Sequence, residues 1–148
     1  MSTLDFSPSV SKEALALFLG ERIGGGVGRE VYAYALNEDW VVKVCDHARD
    51  FQNIMEWETW RYAVGRPAEK WLAPCHHISY SGSVMIQSRT TPIKKLPKRL
   101  PEFLTDINPE NFGMLDGRVV AHDYGFSRLI PDGLEARKLQ TLDQGQRG

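Results

Sequence analysis

The sequence has few of the features that mark special classes of protein. No run approaches the ~18 apolar residues of a membrane span, so we expect no membrane insertion. Residues 1–12 carry no basic segment followed by an apolar one, and we therefore expect no signal peptide. The net charge of −1 provides no global field for nucleic acid or an anionic membrane. These absences favour a cytoplasmic protein.

The sequence is also poor in cysteine. Cys45 and Cys75 are the only two, and because they do not form a metal-spaced set, both are expected to be free thiols. His76 and His77 offer no better metal site, since neighbouring residues of a strand face opposite sides. The remaining composition, 42% hydrophobic and 25% charged over 148 residues, is typical of one compact globular domain.

Hydrophobic periodicity and turn residues predict several strands and one main helix. The predicted elements are a helix capped by Ser11 and ended by Gly20, with Leu15, Phe18 and Leu19 on one face; strands 31–36 and 40–44; a helix over 47–64; strands 71–80 and 84–88; and a helix over 133–142. Residues 89–101 are basic and rich in proline, with Lys94, Lys95, Lys98 and Arg99. We interpret this segment as a solvated connection; the alternative is a patch for phosphate or an acidic partner.

The polar side chains of most chemical interest lie between residues 104 and 126. An Asp116-Gly117 turn between two short apolar strands predicts a tight hairpin. Such a hairpin would bring Asn111, before its first strand, beside Asp123, after its second, with Asp106 nearby. Two carboxylates and an amide at one spot suit a hard cation such as Mg²⁺, which prefers oxygen ligands.

Two features that precede this hairpin in the sequence suggest a binding site for an anion. Residues 22–32 form a glycine-dense turn between strand-like runs, which either exposes N–H groups to phosphate oxygens or is a plain flexible turn. Lys43 lies inside an apolar strand, so it faces either solvent or an anion in a cleft. In the 47–64 helix, Glu58 falls in the apolar stripe of Phe51, Met55 and Tyr62, whereas Glu56 lies on the flank with Asn53 and Trp60. Either glutamate is a candidate partner for Lys43.

The order of these features resembles the protein-kinase-like superfamily. A glycine-rich turn, a strand lysine, a helix glutamate, Asp-x-x-x-x-Asn and Asp-x-Gly follow one another in that family. The chain looks most like the very short kinase-like proteins of tailed phages. The resemblance implies a minimal α+β kinase-like fold, with an antiparallel N-lobe sheet, one main helix and a truncated C-lobe. It implies a helical extension over 1–21, the kinase-like domain over 22–130, and a short helix and tail over 131–148.

The resemblance also implies a nucleotide site. Gly24 and Gly26 resemble the start of the loop that covers the phosphates. Arg29 replaces the family's third glycine and would add a cation near phosphate. Met85 and Gln87 resemble the positions that hold adenine. The implied cofactors are therefore ATP and Mg²⁺.

The catalytic roles that the resemblance implies follow the same order. Lys43 resembles the lysine that contacts the α- and β-phosphates, and Glu58 or Glu56 resembles its ion-pair partner. Helical phase favours Glu58, and the Asn53-x-x-Glu56 pattern favours Glu56. Asp106 resembles the aspartate that accepts the hydroxyl proton. The implied Mg²⁺ ligands are Asn111 and Asp123.

Departures from the family pattern leave two functions open. Leu104-Thr105-Asp106 stands where the family has His-Arg-Asp, and no activation loop or helical substrate lobe follows Gly125. One hypothesis is an ATP- and Mg²⁺-dependent phosphotransferase. The other is a pseudokinase-like phage protein that binds a host protein, with apolar surface covered by that partner or by a second copy of the chain. A nucleic-acid-binding module, based on the basic 94–99 stretch alone, is the least favoured.

Overall fold

The computed structural model describes residues 8–26, 28–45, 51–132 and 139–142, and within them the chain is α+β. The helices are α1 (Pro8–Ala16), α2 (Gln52–Ala63) and α3 (Leu129–Asp132), with 3₁₀ turns at Pro67–Trp71 and Pro109–Asn111. The strands are β1 (Leu19–Gly26), β2 (Arg29–Tyr34), β3 (Trp40–Cys45), β4 (Cys75–Ile78), β5 (Val84–Ser88), β6 (Thr91–Pro92), β7 (Arg99–Pro101), β8 (Phe112–Leu115), β9 (Arg118–Ala121) and β10 (Leu139–Thr141).

The first five strands form an antiparallel sheet in the order β1-β2-β3-β5-β4. The sequence predicts most of this sheet, because β-branched and aromatic residues alternate between short polar turns. Asn37 makes one such turn by accepting a hydrogen bond from the Asp39 amide at 2.9 Å. The strand predicted from residue 71 is too long, because a 3₁₀ turn occupies Pro67–Trp71 and the strand starts at Cys75.

Helix α2 packs on the sheet through polar side chains. Its buried residues are Asn53, Glu56, Thr59 and Ala63. Phe51 and Met55, which the sequence placed on the inner stripe, are 56% and 41% exposed. The predicted helical phase is therefore wrong, because the sheet offers charged partners to this side of α2. The prediction spanned 47–64; the helix runs from 52 to 63, and residues 47–50 lie outside the described residues.

The rest of the described chain forms two small sheets. Strands β6, β8 and β9 pair in that order, and β10 pairs with β7. The predicted β8–β9 hairpin is confirmed, and its turn has positive φ at both Asp116 (51°) and Gly117 (79°). These are the values of a type I′ turn, whose twist matches that of the flanking strands. Residues 89–101, interpreted as a connection, contain two short strands and the buried Leu100.

Both ends of the described chain differ from the predicted helices. Helix α1 contains Ser11 and ends at Ala16, while Leu19 and Gly20 belong to β1. The amide of Ala35 donates to the Phe18 carbonyl at 2.9 Å, so this segment is drawn into sheet pairing. Of the predicted helix over 133–142, residues 133–138 lie outside the described residues, and 139–141 form β10 instead. No helix in the described ranges has the length and apolar character needed to cross a membrane.

One apolar core connects the large sheet, α2 and the hairpin. Its buried members are Ala63, Ala68, Leu72, Cys75, Met85, Leu100, Phe103, Leu104, Phe112, Ala121, Tyr124 and Leu129. Tyr124 connects the end of the hairpin to the large sheet, because its hydroxyl donates to the Ala73 carbonyl at 2.8 Å and lies 3.2 Å from Cys75 Sγ. The core therefore fixes the end of the hairpin relative to the inner face of the sheet.

Candidate functional site

Strand register places the predicted nucleotide residues on one face of the large sheet. Residues directly opposite in an antiparallel pair point to the same side. The pairs that carry this alignment are Gly26↔Arg29, Gly24↔Val31, Val31↔Lys43, Lys43↔Met85 and Val41↔Gln87. This is the face on which α2 packs, since Lys43 contacts Glu56 there. The inner face thus carries every predicted nucleotide residue of the sheet.

Lys43 and Glu56 form a buried ion pair at the centre of this face. The Lys43 Nζ to Glu56 Oε1 distance is 2.7 Å, and the side chains are 3% and 0% exposed. Glu56 is therefore the partner of Lys43. Glu58 is not: its side chain is 55% exposed and lies 3.9 Å from Arg61 on the same helix. Burial lowers the pKa of Lys43, although the adjacent Glu56 opposes that shift.

Arg29 is the second cation of the site. Its guanidinium pairs with Glu56 through Nη1 and with Asp123 through Nη2, and Nη1 also donates to Asn53 Oδ1 at 3.2 Å. Burial alone would lower the pKa of Arg29, but Glu56 and Asp123 together raise it above its usual range. The residue predicted to add a cation near phosphate is thus bound to two carboxylates.

The β8–β9 hairpin places Asn111 and Asp123 side by side, as predicted. The Asn111 carbonyl accepts hydrogen bonds from the amides of His122 at 2.9 Å and Asp123 at 3.3 Å. The Asn111 side chain donates from Nδ2 to the Asp106 carbonyl at 3.1 Å. Asn108 caps the intervening 3₁₀ turn by accepting from the Glu110 amide at 3.1 Å. Asp106, Asn111 and Asp123 therefore occupy one compact unit.

His122 joins this unit to the sheet. Its carbonyl accepts a hydrogen bond from Lys43 Nζ, directly before Asp123. Its Nε2 lies 2.7 Å from the Glu110 carbonyl and its Nδ1 lies 2.7 Å from Thr90 Oγ1. A carbonyl only accepts, so the network assigns the proton to Nε2 and makes the Thr90 hydroxyl the donor to Nδ1. Burial and then the Lys43 charge lower the pKa of His122, which favours the neutral ring.

A cavity of about 70 Å³ lies beside this unit. Its lining includes both Asp106 and Asp123, together with apolar side chains and Ser127. The Ser127 hydroxyl is buried and has no hydrogen-bond partner in the described part of the chain. Two carboxylate-bearing residues thus face a space large enough for a few polar atoms.

The glycine-rich segment is open on its inner side. A Cβ added at Gly24 or at Gly26 would meet no heavy atom within 4 Å, whereas one at Gly25 would lie 2.9 Å from the Arg29 carbonyl. The three glycines belong to the end of β1, and the hairpin turn follows at Gly28, whose φ is 78°. A ligand could approach the backbone closely at Gly24 and Gly26.

Met85 and Gln87 are fully buried, and Arg29 and Lys43 are nearly so, whereas Gly24 is partly exposed and Gly26 is exposed. Met85 belongs to the apolar core. Gln87 donates from Nε2 to Cys75 Sγ at 3.9 Å, and its buried Oε1 has no hydrogen-bond partner in the described residues. The structure aligns both with Lys43 but does not open either to a ligand.

The oxygen atoms of Asn111 and Asp123 fit a magnesium ion that arrives with phosphate. Because Asn111 uses Nδ2 as a donor, its Oδ1 is left for a cation, and Asp123 uses only Oδ1 for Arg29. The described residues contain no group of three or more His, Cys, Asp or Glu able to hold a metal. Mg²⁺ commonly takes one or two protein ligands and completes its shell with phosphate oxygens and water. The donors present match that pattern.

Comparison of the chain with models of known protein families and with curated proteins finds no match to either. The geometry of the site is therefore the evidence on function.

Asn53 and His122 also support the site, although the sequence does not predict either as a site residue. Asn53 bridges Arg29 and the Lys43 carbonyl, to which its Nδ2 donates at 3.0 Å. His122 supplies the backbone contact to Lys43. The Asn53-x-x-Glu56 pattern, which favours Glu56 as the partner of Lys43, also indicates the polar side of α2, because residues three apart lie on one face of a helix. No local pattern indicates the role of His122, because its partners are distant in sequence.

Proposed function

We propose that this chain is a protein-kinase-like phosphotransferase that uses ATP and Mg²⁺. The observation that carries the proposal is the buried Lys43–Glu56 ion pair. It joins the third strand to the following helix, and Lys43 also contacts the backbone next to Asp123. In protein kinases a lysine of the third strand pairs with a glutamate of the following helix, and the pair must be in place for transfer.

The side chains suggest a division of roles. Lys43, oriented by Glu56, would bind phosphate oxygens, and the backbone at Gly24 and Gly26 would approach the phosphates. Asp106 would accept the proton of the attacking hydroxyl as the new O–P bond forms and the bond to the leaving ADP breaks. Asn111 and Asp123 would hold the magnesium ion, which neutralises phosphate charge when bound.

Transfer from γ-labelled ATP to the chain itself, to generic proteins and to small hydroxyl compounds tests the proposal. Asp106→Asn should lower transfer by about 10²–10⁴-fold, because the general base is lost. Asp116→Asn is its matched control, since Asp116 lies in the exposed turn of the same hairpin and asparagine tolerates its positive φ. Lys43→Met should abolish transfer, whereas Lys95→Met, at an exposed lysine, should not.

Absence of transfer to every acceptor would contradict catalysis without contradicting nucleotide binding. Thermal unfolding with and without ATP and Mg²⁺ measures binding separately, because a ligand specific to the folded state raises the melting temperature. A shift in the wild type that Lys43→Met removes would support the nucleotide site. No shift at millimolar nucleotide would count against the site itself.

A second candidate is a pseudokinase-like phage protein that binds and modulates a host protein. The pairing of Asp123 with Arg29 favours it, because one oxygen of the implied metal ligand is already occupied. Exposed apolar side chains in or just before α2 and α3 also favour it, namely Phe51, Met55, Phe126 and Ile130. A nucleotide-dependent thermal shift together with transfer that is no greater in wild type than in Asp106→Asn would select this candidate.

Both candidates imply the same setting. The chain would act in the cytoplasm, and in the host cytoplasm if a phage encodes it. Its partners would be a nucleotide and either a protein or a second copy of the chain, and nucleic acid is not expected. Size-exclusion chromatography with light scattering tests the homodimer directly.

A further inference from the structure

Arg29 divides its contacts between a buried anchor and an accessible carboxylate. Nη1 is bound to Asn53 and Glu56, both of which are fully buried on α2. Nη2 is bound to Asp123, whose side chain is 44% exposed. A ligand that enters the site can therefore reach the Asp123 contact while the anchor stays in place.

We propose that Arg29 is a positioning residue that keeps Asp123 from binding a free divalent cation, and that it releases Asp123 when phosphates take Nη2. The first half depends only on the geometry of Arg29 and Asp123. The second half rests on the proposed nucleotide-binding function. The inferred partner of Nη2 in the loaded site is a polyphosphate.

The charges of the cluster support the first half. Two cations, Arg29 and Lys43, face two carboxylates, Glu56 and Asp123, so the cluster has no net charge. A divalent ion at Asp123 would meet the repulsion of a guanidinium and would find only one unpaired carboxylate oxygen. Free Mg²⁺ should therefore bind only weakly at this site.

The chemistry of guanidinium supports the second half. Arginine binds phosphate through two parallel hydrogen bonds, and a polyphosphate carries more negative charge than one carboxylate. If phosphate takes Nη2, Asp123 regains its second oxygen beside Asn111. This exchange of partners at Nη2 would also place Arg29 near phosphate. The sequence suggests the same position, because Arg29 directly follows the glycine-rich segment.

Binding of Mn²⁺ without nucleotide, followed by electron paramagnetic resonance, tests the first half, since manganese accepts the same oxygen ligands as magnesium. Arg29→Gln should bind Mn²⁺ at least about tenfold more tightly than the wild type, because the repulsion is removed. Arg22→Gln is the matched control: it removes the same charge from an exposed pair with Glu30 at 3.3 Å, and it should not change the affinity. Arg29→Gln combined with Asp123→Asn should lose the gain.

Equal Mn²⁺ affinity in wild type and Arg29→Gln would overturn the inference. Arg29→Lys provides a second variant if Arg29→Gln fails to fold, because lysine keeps the charge but lacks the planar fork that pairs Nη1 with Glu56 and Nη2 with Asp123. It should show a smaller gain. Selective ¹⁵N spectra of arginine in the wild type need no variant at all. The Arg29 guanidinium signals should not move with MgCl₂ alone, and a shift with MgCl₂ alone would also overturn the inference.

Addition of ATP with Mg²⁺ separates the two halves. Movement of the Arg29 signals in wild type, with loss of their Asp123 contact, is the expected result. If ATP moves no signal and causes no thermal shift, the proposed nucleotide site fails, while the Mn²⁺ result still decides the role of Arg29. If ATP binds but the Arg29–Asp123 contact persists, the release of Asp123 is wrong.

Discussion

Glu56 is the carboxylate that both cations of the site share. It forms ion pairs with both Arg29 and Lys43, and its own side chain is fully buried. A buried ion pair adds little compared with apolar residues of the same size, but removing one partner leaves an uncompensated charge. In this cluster the loss of one carboxylate would leave two buried cations with only the half-exposed Asp123 to balance them.

Glu56→Gln should therefore destabilise the protein by about 3–5 kcal/mol. Urea unfolding measures the change. Glu58→Gln is the matched control two residues away, and its exposed side chain should change stability by less than about 0.5 kcal/mol. Similar losses in both variants would show that helix α2 does not place Glu56 against the sheet as described.

Cys75 provides a pH-dependent test of the core. Burial raises the pKa of its thiol from 9.0 to about 12. The thiolate fraction at a given pH is then about a thousandfold lower than in the unfolded chain, so iodoacetamide at pH 8 should label Cys75 only after unfolding. Peptide mass mapping after labelling, with and without urea, distinguishes Cys75 from Cys45.

The raised pKa of Cys75 also determines the direction in which stability changes with pH. Between pH 9 and about 12 the folded protein keeps a proton that the unfolded chain has lost. The free energy of unfolding should therefore fall as pH rises through this window, by at most about 1.4 kcal/mol per pH unit from this group. Wild type should lose stability relative to Cys75→Ala over that range. Parallel curves for the two proteins would contradict the raised pKa.

At the scale of elements, the sequence predicts the position of the β8–β9 hairpin better than it predicts the buried side of helix α2. The β8–β9 hairpin follows from a local signal, the Asp116-Gly117 turn, and the register of Asn111 and Asp123 follows from it. The sequence also predicts helix α2, but two patterns within it disagree on its buried side: the apolar stripe favours the side of Glu58, and the Asn53-x-x-Glu56 pattern favours the side that is buried. The usual apolar stripe gives the wrong phase because the sheet binds this helix through charges and amides.

Close packing between β6 and β8 offers a test at this scale. A Cβ at Gly113 would lie 2.2 Å from Thr90 Oγ1 and 2.9 Å from the Thr91 carbonyl. Gly113→Ala should cost about 1–3 kcal/mol through overpacking, and it should weaken nucleotide binding because Thr90 holds His122. Urea unfolding and the ATP-dependent thermal shift measure the two effects.

Gly24→Ala is the opposite case and serves as its control. No heavy atom lies within 4 Å of the added Cβ, so stability should change by less than about 0.5 kcal/mol. Under the proposed function the methyl group would still obstruct phosphate, and the ATP-dependent thermal shift should fall. A stable variant with an unchanged shift would remove Gly24 from the nucleotide site.

At the scale of the molecule, the sequence predicts most strands of the large sheet, the β8–β9 hairpin and the residues of the site that each contributes, but not how the sheet and the hairpin pack against each other. Arg29 and Asp123 are 94 residues apart, and their contact depends on the packing of three elements. The choice of Glu56 over Glu58 depends on the same packing. The strand β10 was also missed, because its pairing with β7 is decided by a sheet edge distant in sequence.

The shared core predicts that the large sheet and the hairpin unfold together. Met85 of β5, Ala63 of α2 and Phe112 of β8 belong to one buried cluster, and Tyr124 connects the hairpin end to Ala73. Native-state hydrogen exchange in low urea should therefore give the same opening free energy for the slowest amides of β3–β5 and of β8–β9. Tyr124→Phe, which loses the hydrogen bond to Ala73, should lower both values equally by about 1–2 kcal/mol. A lower value confined to β8–β9 would show that the hairpin opens alone, and the site would then assemble only when the hairpin docks on the sheet.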